Sequence, residues 1–289
     1  MLSLTDALLV GDFFYQIDKK CREDLSRGLL ISERDYVSRF TTFSMYPYGP
    51  FYRAPIFWLT KTLPQPSEIK FGCDAVIVFK KRNVAKVGMF EAKWPRMKNP
   101  NKTPWDDNKK KGPDSRFTTE LKKQRAYFPK IPIWEMFFND LDLGVSLKGF
   151  DPEASACLWH DLAFNYMLKR IKNGETWGNR NSRHLETMLR YRSYLKSAKN
   201  IKDIIVEILT CNKGVCFKIQ HTNPLLNEIE INSETNEKPI KIHLLDTEYR
   251  NAEEINKFMR DNGLRQYALV DLEELIPFLE NYHPRLNNE

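Results

Sequence analysis

Residues 69–94, IKFGCDAVIVFKKRNVAKVGMFEAKW, contain two β-strand patterns separated by a short polar segment. Residues 69–79 and 85–94 are rich in β-branched and aromatic side chains, whereas residues 80–83 are Lys, Lys, Arg and Asn. Two such runs with a short polar link are typical of an antiparallel β-hairpin. We therefore expect a hairpin that is hydrophobic apart from a few charged positions.

Three of those charged positions are predicted to converge. Side chains alternate between the two faces of a strand, so Glu91 and Lys93 point the same way. A turn near residues 81–84 would bring Asp74, on the partner strand, close to Glu91. Charges on an apolar sheet are costly unless they pair with each other or bind a cation. The pattern therefore indicates either a divalent-metal site or a structural cluster of salt bridges.

Two carboxylates and an ammonium group suit the hydrolysis of a phosphodiester bond. Carboxylate oxygens bind hard divalent ions such as Mg²⁺, which keep several of their water molecules. One such water can act as the nucleophile while the metal stabilises charge on the phosphoryl group. Lys93 can position or deprotonate that water and offset the same charge.

The elements predicted around the hairpin follow the order helix–strand–strand–strand–helix–strand. The first helix is expected to break near Gly28 or at Ser32. Along this region the apolar residues change from helical spacing to β-strand composition and back. The six elements are predicted in residues 19–45, 51–60, 69–79, 85–94, 115–128 and 131–138.

Residues 72–74 (Gly-Cys-Asp) and 91–93 (Glu-Ala-Lys), in this order of elements, resemble the PD-(D/E)XK nuclease superfamily, whose core runs α-β-β-β-α-β. The resemblance covers residues 20–138 of the chain. Cys73 stands where the superfamily's namesake proline would be, at a position that varies. The resemblance implies an α/β fold with a mixed central sheet and a restriction-endonuclease-like core, to which this chain adds extra helices and a small C-terminal α/β part.

The resemblance implies a role for each residue of the motif. Asp74 and Glu91 would bind Mg²⁺ or Mn²⁺, with the backbone carbonyl of Ala92 as a third protein ligand. Lys93 would be the catalytic lysine. The superfamily often adds a glutamate from the first helix, and Glu33 is the best-placed candidate for that metal ligand.

Glu33 also has a purely structural explanation, because the helix dipole favours a glutamate in the first turn after a serine cap. Glu68, just before the strand of Asp74, is the alternative candidate for the metal-binding role. Gln124 lies on the apolar face of the helix in 115–128, where an amide is unusual. Because several branches of the superfamily carry a glutamine there, we expect Gln124 in the catalytic site and Tyr127 in the core.

The charge of the chain is unevenly distributed. Residues 223–289 contain 7 Lys or Arg and 14 Asp or Glu, which leaves 38 basic and 24 acidic residues in 1–222. A basic region suits a polyanionic partner, because binding releases counterions. We therefore expect DNA as the partner, with RNA as the alternative. The residues predicted to contact it are Lys109, Lys110 and Lys111 in a long loop at 95–114, and Arg183 and Arg190 in a basic helix.

Three regions are predicted along the chain. Residues 1–138 form the nuclease-like core, residues 139–222 a basic helical and hairpin extension, and residues 223–289 an acidic α/β module. The module is expected either to serve dimerisation or regulation, or to extend the sheet. We predict helices near 153–172 and 182–198 and a hairpin at 203–220 in the extension, and strands at 239–245 and 266–270 and helices at 251–262 and 271–281 in the module.

Composition favours a soluble, cytoplasmic protein. No apolar run approaches the roughly 20 residues that a transmembrane helix needs. The cysteines number five, and Cys211 and Cys216, with four residues between them, do not have a zinc-knuckle spacing. Reduced cysteines packed as small apolar groups are therefore expected.

These patterns predict a metal-dependent nuclease that hydrolyses DNA, as a stand-alone endonuclease of restriction, repair or toxin-like type. The sequence contains no Walker loop, nucleophile elbow or His-rich metal signature. A catalytically inactive nucleic-acid-binding protein of the same fold is one alternative, and an effector or interaction protein is another. A homodimer would suit double-strand cleavage, and the sequence leaves that state open.

Overall fold

The structure is a computed structural model of the 289-residue chain. Its described residues are 1–42, 58–62, 71–94, 106, 114–138, 154–172, 175–177, 184, 187–188, 198–223, 226–231, 239–245, 250 and 252–286.

This described part contains seven helices and eleven strands. The helices are α1 (Leu4–Ser26), α2 (Glu33–Thr42), α3 (Arg116–Gln124), α4 (His160–Arg170), α5 (Ile201–Leu209), α6 (Ala252–Asn262) and α7 (Leu272–Leu286). The strands are β1 (Trp58–Thr62), β2 (Ala75–Lys81), β3 (Val84–Lys93), β4 (Ile133–Phe137), β5 (Ala156–Trp159), β6 (Ala198–Lys199), β7 (Phe217–Lys218), β8 (Gln220–Asn223), β9 (Leu226–Ile231), β10 (Ile240–His243) and β11 (Gln266–Asp271).

A mixed sheet organises the molecule. Its strands lie in the order β1-β11-β2-β3-β4-β5-β6, and β7 pairs with the beginning of β3. The β11–β2 and β3–β4 pairs are parallel, and the other pairs along this order are antiparallel. A second, small antiparallel sheet has the order β10-β9-β8. The chain is thus an α/β protein with a mixed central sheet, as the sequence predicts.

The predicted hairpin is confirmed, with a shorter turn than expected. Strands β2 and β3 pair from Ala75 opposite Phe90 to Lys81 opposite Val84, and Arg82 and Asn83 alone connect them. Arg82 has a φ of 53°, in the left-handed region that tight turns require. Lys80 and Lys81, which the sequence places in the polar link, therefore belong to β2.

The alternation of side chains along the hairpin divides them between two hydrophobic cores. One core lies against α1, α2, α5 and α7 and includes Phe90 and Ala92. The other includes Val87 and Met89, together with apolar residues of the small sheet and α6. A third apolar cluster joins α3 and α4 to β4 and β5. Because Glu91 follows the alternation of Val87 and Met89, it faces away from the core that contains Phe90.

The order α2-β1-β2-β3-α3-β4 agrees with the predicted order of elements. The predicted first helix is interrupted between Ser26 and Glu33, as expected, but the helix before the break begins at Leu4 rather than near residue 19. The Ser3 side chain caps α1 by accepting a hydrogen bond from the Asp6 N–H. The buried residues of α1 recur every three or four positions, the helical signal that Gly11-Asp12 obscured: Ala7, Val10, Phe14, Ile17, Cys21 and Leu25.

In the extension, one prediction is confirmed in part and another is wrong. The helix predicted near 153–172 is present as α4, but it begins only at His160, because residues 156–159 form β5, which pairs antiparallel with β4. The hairpin predicted at 203–220 begins instead with α5, whose isoleucines are buried in the same core as the apolar face of α1. β-branched residues favour strands by composition, but here their helical spacing and tertiary packing decide. The predicted helix 182–198 falls largely outside the described residues.

The elements predicted in the C-terminal region are confirmed as β10, α6, β11 and α7. Strand β11 lies inside the main sheet, between β1 and β2, and runs parallel to β2. The C-terminal region therefore extends the sheet, which was one of the two expected roles. No helix in the described ranges is long and apolar enough to cross a membrane.

Candidate active site

Asp74 lies immediately before β2, opposite Glu91 of β3. The Asp74 N–H donates to the carbonyl of Phe90 at 2.9 Å, and the Ala92 N–H donates to Asp74 Oδ2 at 3.1 Å. The first bond joins the two backbones just beyond the last paired residues, Ala75 and Phe90, and the second is accepted by the Asp74 side chain. The register inferred from the sequence is therefore the one that the structure has.

A glycine allows the chain to enter β2 beside α3. Gly72 has a φ of 69°, and a Cβ atom at this position would lie 2.6 Å from the backbone carbonyl oxygen of Glu120. Only glycine adopts this conformation readily and also tolerates so close an approach of another backbone. The contact brings α3 against the segment that carries Asp74.

Lys93 forms ion pairs with two glutamates. Its Nζ contacts Glu91 Oε1 and lies 2.8 Å from Glu120 Oε2. Asp74, Glu91 and Lys93 are 4%, 1% and 2% exposed, so the ion pairs are shielded from water. The ammonium group also lies 5.7 Å from the centre of the Phe117 ring, within the range of a cation–π interaction.

Glu120 of α3 belongs to this cluster, although the sequence analysis did not select it. Arg116 Nε donates to Glu120 Oε1 at 2.9 Å, one helical turn earlier. The signal for Glu120 was its position four residues before Gln124, which puts both side chains on one face of the helix. That face is also the buried face of α3.

The cluster is crowded with negative charge. Burial, together with the nearby Asp74 and Glu120 carboxylates, raises the pKa of Glu91 well above its ordinary value. Burial by itself lowers the pKa of Lys93, but Glu120 and Glu91 outweigh it, so the pKa of Lys93 is well raised. Burial raises the pKa of Glu120, yet Lys93 and Arg116 together bring it below the ordinary value. Lys93 is therefore protonated at neutral pH.

Glu33, the first residue of α2, reaches the end of β3. Its Oε1 accepts a hydrogen bond of 2.9 Å from the Trp94 N–H. Burial raises the pKa of the Glu33 carboxyl, while Lys93 opposes that shift and Asp74 adds to it. Glu33 thus lies close enough to Asp74 and Lys93 for their charges to shift its pKa, and its role as a metal ligand stays a prediction.

Gln124 contacts residues next to the charged cluster rather than Asp74, Glu91 or Lys93 themselves. Its Nε2 donates to the Gly72 carbonyl at 2.7 Å and lies 3.5 Å from Glu135 Oε2, and its Oε1 lies 2.7 Å from His160 Nδ1. Since Gln124 Oε1 can only accept, His160 Nδ1 carries the hydrogen in this arrangement. The amide is thus bonded at both ends, and it positions the turn that leads to Asp74.

Glu135 lies on β4 directly beside Glu91, because the two residues are register partners of parallel strands. Burial raises the pKa of Glu135, although the neighbouring His160 imidazole opposes the shift. In the described part of the chain, Glu135 Oε1 and His160 Nε2 are buried without a hydrogen-bond partner. Neither residue was predicted as part of the site.

The C-terminal region also contacts the site. The N–H groups of Arg265 and Gln266 donate to the backbone carbonyl of Asp74 at 2.9 and 3.2 Å. The Arg265 guanidinium lies 3.5 Å from Asp74 Oδ1. These contacts result from the position of β11 beside β2, which the local sequence around Asp74 does not indicate.

The carboxylates around Glu91 have the chemistry of ligands for a divalent cation, although the described residues do not form a preformed set of metal ligands. Within the described ranges, no three His, Cys, Asp or Glu side chains are grouped as metal ligands. However, among the described residues no group bonds to the buried Glu91 Oε2, and in the same part of the chain the carboxylates outnumber the cations that face them. A divalent cation would relieve the repulsion that raises the pKa of Glu91.

The predicted nucleic-acid contacts lie outside the described residues. This holds for Lys109, Lys110, Lys111, Arg183 and Arg190, and also for Glu68. In the predicted loop at 95–114, Asp106 is described and buried. Its two carboxylate oxygens accept hydrogen bonds of 2.9 Å each from the N–H groups of Phe117 and Trp177.

Tyr127 is buried and packs edge-to-face on Phe71, with ring centres 4.5 Å apart, so its prediction as a core aromatic is confirmed.

Comparisons of the chain with protein-family models, with curated proteins and with solved structures found no match. Functional inference for this chain therefore depends on the residues and geometry of the site itself.

Proposed function

We propose that this protein is a metal-dependent nuclease of the PD-(D/E)XK type that hydrolyses DNA. One observation carries the proposal. Asp74 and Glu91 lie opposite each other on a hairpin, with Lys93 two residues along the same face, and all three are buried. Buried, mutually repelling carboxylates beside an ammonium group are costly for stability and are typical of catalytic sites.

The order of elements supports the same proposal. The run α2-β1-β2-β3-α3-β4 has the order of the superfamily core. Asp74 directly precedes its second strand, and Glu91 and Lys93 lie at the end of its third strand. Glu33 of α2 and Gln124 of α3 come from the two helices of that run, which are the helices expected to contribute. The restriction-endonuclease-like fold is therefore part of the proposal.

Asp74 and Glu91 would hold Mg²⁺ or Mn²⁺, with the Ala92 carbonyl and Glu33 as further ligands. When bound, such an ion lowers the pKa of a water molecule and offsets negative charge on the phosphoryl group. The protein supplies the carboxylates in a buried site, where electrostatic interactions are stronger than in water.

Lys93 acts as a fixed positive charge. Its raised pKa makes it a poor base at neutral pH, so we assign it to orientation of the attacking water and to stabilisation of transition-state charge. Glu120, itself held by Arg116, fixes the position of the ammonium group. Deprotonation of the water, the other role predicted for Lys93 from the sequence, requires that a bound cation lower this pKa.

DNA is proposed as the substrate because of the charge distribution. Residues 1–222 carry 38 basic and 24 acidic residues, and a basic surface favours a polyanion through counterion release. A stand-alone endonuclease of restriction, repair or toxin-like type fits a chain whose sequence contains no ATPase motif.

A second candidate is a nucleic-acid-binding protein of the same fold without catalysis. The ion pairs of Lys93 with both Glu91 and Glu120 favour it, because such a closed network also satisfies a purely structural role. In that case the cluster stabilises the sheet, and removing one partner leaves DNA binding intact in any variant that still folds.

A cleavage assay distinguishes the candidates. Supercoiled plasmid, linear duplex and single-stranded oligonucleotide are incubated with the full chain in Mg²⁺, Mn²⁺ or EDTA. The wild type is expected to cleave at least one substrate with metal and none with EDTA. Glu91→Gln, Lys93→Met and Glu120→Gln should each slow cleavage at least about tenfold, which corresponds to about 1.4 kcal/mol in the activation barrier.

Lys80→Met is the matched control, because Lys80 forms a half-buried ion pair of 2.8 Å with Asp271 on the same sheet but outside the cluster. It should cleave like the wild type. Cleavage that persists in EDTA, or that is unchanged in folded Glu91→Gln and Lys93→Met, would contradict the proposal. DNA binding without cleavage would support the second candidate, and no affinity for nucleic acid would favour an effector or interaction protein.

A further inference from the structure

The loop that follows α5 brings two thiols together at the surface. Cys211 Sγ and Cys216 Sγ lie 3.5 Å apart, and both residues are exposed. This differs from the expectation that all cysteines pack as small apolar groups. The other three cysteines do pack in this way, and all are buried: Cys21, Cys73 and Cys157.

Backbone contacts on both sides hold this loop in place. Lys86 of β3 donates from its Nζ to the carbonyls of Lys213 and Gly214, at 2.7 and 3.2 Å. The Val215 N–H donates to the Lys130 carbonyl at 3.0 Å. Residues between the two cysteines are therefore anchored to β3 and to the segment before β4, which keeps the sulfur atoms close together.

The surroundings activate one thiol of the pair. The amino group of Met1 lies 3.1 Å from Cys211 Sγ. Although burial acts in the opposite direction, hydrogen bonds from this amino group and from Cys216, with the charge of Lys86, lower the pKa of Cys211. Burial and the interaction with Cys211 raise the pKa of Cys216. A thiolate is the reactive form of cysteine, so Cys211 is the nucleophile.

We propose that Cys211 and Cys216 form a thiol-oxidation site, which closes to an intramolecular disulfide by exchange with a small-molecule disulfide. The Cys211 thiolate attacks one sulfur of the small disulfide, forms a mixed disulfide and releases one thiolate. The Cys216 thiolate then attacks Cys211 Sγ, forms the Cys211–Cys216 bond and releases the second thiolate. The protein loses two electrons and two protons, and the small disulfide is reduced to two thiols.

The buried cysteines are excluded from this chemistry. Burial raises the pKa of Cys21, Cys73 and Cys157 well above the ordinary value, and a small disulfide has no access to them. Oxidation is therefore selective for the surface pair. The inference is independent of the nuclease proposal, since it rests on a different part of the molecule.

Trypsin provides a direct test, because Lys213 separates the two cysteines. The full chain, with any tag at its C terminus, is equilibrated in buffers of increasing oxidised-to-reduced glutathione ratio and then alkylated and digested without reduction. The peptides Asp203–Lys213 and Gly214–Lys218 are expected as a disulfide-linked pair in oxidising buffer, and as separate alkylated peptides after reduction. The peptides containing the buried cysteines should show no disulfide.

Cys216→Ser is the matched control, because it removes the second step and leaves the first. This variant should accumulate glutathione on Cys211, and Cys211→Ser should react more slowly at Cys216. The inference is overturned if both cysteines remain alkylated and unlinked at every glutathione ratio. It is also overturned if the linked peptides come only from covalent dimers separated by size.

Discussion

At the scale of single residues, the buried charged cluster of the hairpin depends on a few backbone positions as much as on its side chains. Gly72 is one of these, because its left-handed conformation and its lack of a Cβ atom let α3 approach the segment before Asp74. Gln124 then bonds the carbonyl of Gly72. The position of the Asp74 carboxylate thus follows from a glycine two residues earlier.

Gly72→Ala should therefore destabilise the protein strongly. The added methyl group would meet the Glu120 carbonyl oxygen at 2.6 Å in addition to the strain of a positive φ. We expect a loss of more than about 2 kcal/mol in the free energy of unfolding, measured by urea denaturation. Gly28→Ala is the control, because Gly28 has a similar φ of 74° with no atom within 4 Å of the added methyl group. Equal losses in the two variants would contradict the role of the contact.

Glu135→Gln should alter stability in a pH-dependent manner. The pKa of Glu135 is raised in the folded protein by burial, so the wild type loses stability as pH rises from the unfolded pKa through the folded one. Glutamine carries no charge and avoids that loss. Melting curves should nearly coincide at about pH 4, close to the ordinary pKa of glutamate, and diverge in favour of the variant at higher pH.

At neutral pH the variant should be the more stable of the two proteins, because glutamine avoids the cost of burying a charge. A wild type that is more stable than the variant at neutral pH would contradict the prediction. It would mean that neighbouring groups stabilise the Glu135 carboxylate more than burial destabilises it.

At the scale of elements, local patterns account for what could be predicted. The alternation along β3 placed Glu91 and Lys93 on one face, and the short polar link fixed the hairpin register that puts Asp74 opposite Glu91. Glu120 could have been predicted from its spacing to Gln124 on α3. Arg265 could not, because it reaches Asp74 only through the pairing of β11 with a strand about 190 residues away in sequence.

The failures at this scale have a common physical origin. The isoleucine-rich segment of α5 has the composition of a strand, whereas the helical spacing of its buried residues and their packing in the core shared with α1 make it a helix. Strand β5 is four residues long and continues directly into α4, so its apolar residues merge with the helical pattern that follows. In both cases tertiary packing overrides a weak local preference.

Because β11 lies between β1 and β2, the C-terminal region cannot be removed as a separate module. A chain that ends after Gly263 would lose β11 and α7, together with the bonds from Arg265 and Gln266 to Asp74. We expect this fragment to be insoluble or to show no cooperative melting transition by circular dichroism. A soluble fragment with a cooperative transition would show that the C-terminal region is dispensable for folding.

At the scale of the whole molecule, the uneven charge distribution makes a prediction about binding. In EDTA, where metal-dependent cleavage is suppressed, affinity for duplex DNA should fall steeply and linearly on a log–log plot against salt concentration. Replacing Lys109, Lys110 and Lys111 with alanine should reduce the slope by about 1 for each of these lysines that binds a phosphate group. Fluorescence anisotropy measures both quantities.

The control for this measurement is Lys241→Ala in the small sheet, where Lys241 pairs with Glu228 at 2.7 Å. It lies in the acidic part of the chain and should leave both affinity and slope unchanged. Equal effects of the two changes would remove the basis for assigning DNA contacts to the basic region.

The central claim is that the carboxylates of the hairpin perform metal-dependent phosphodiester hydrolysis. The most direct measurement is the initial rate of plasmid nicking in Mg²⁺ by the wild type and by Asp74→Asn. Asparagine can still accept the hydrogen bond from the Ala92 N–H, so the fold is retained while the carboxylate charge is lost. We expect nicking by the wild type and a rate at least about a hundredfold lower for the variant. Equal rates for the two folded proteins would contradict it.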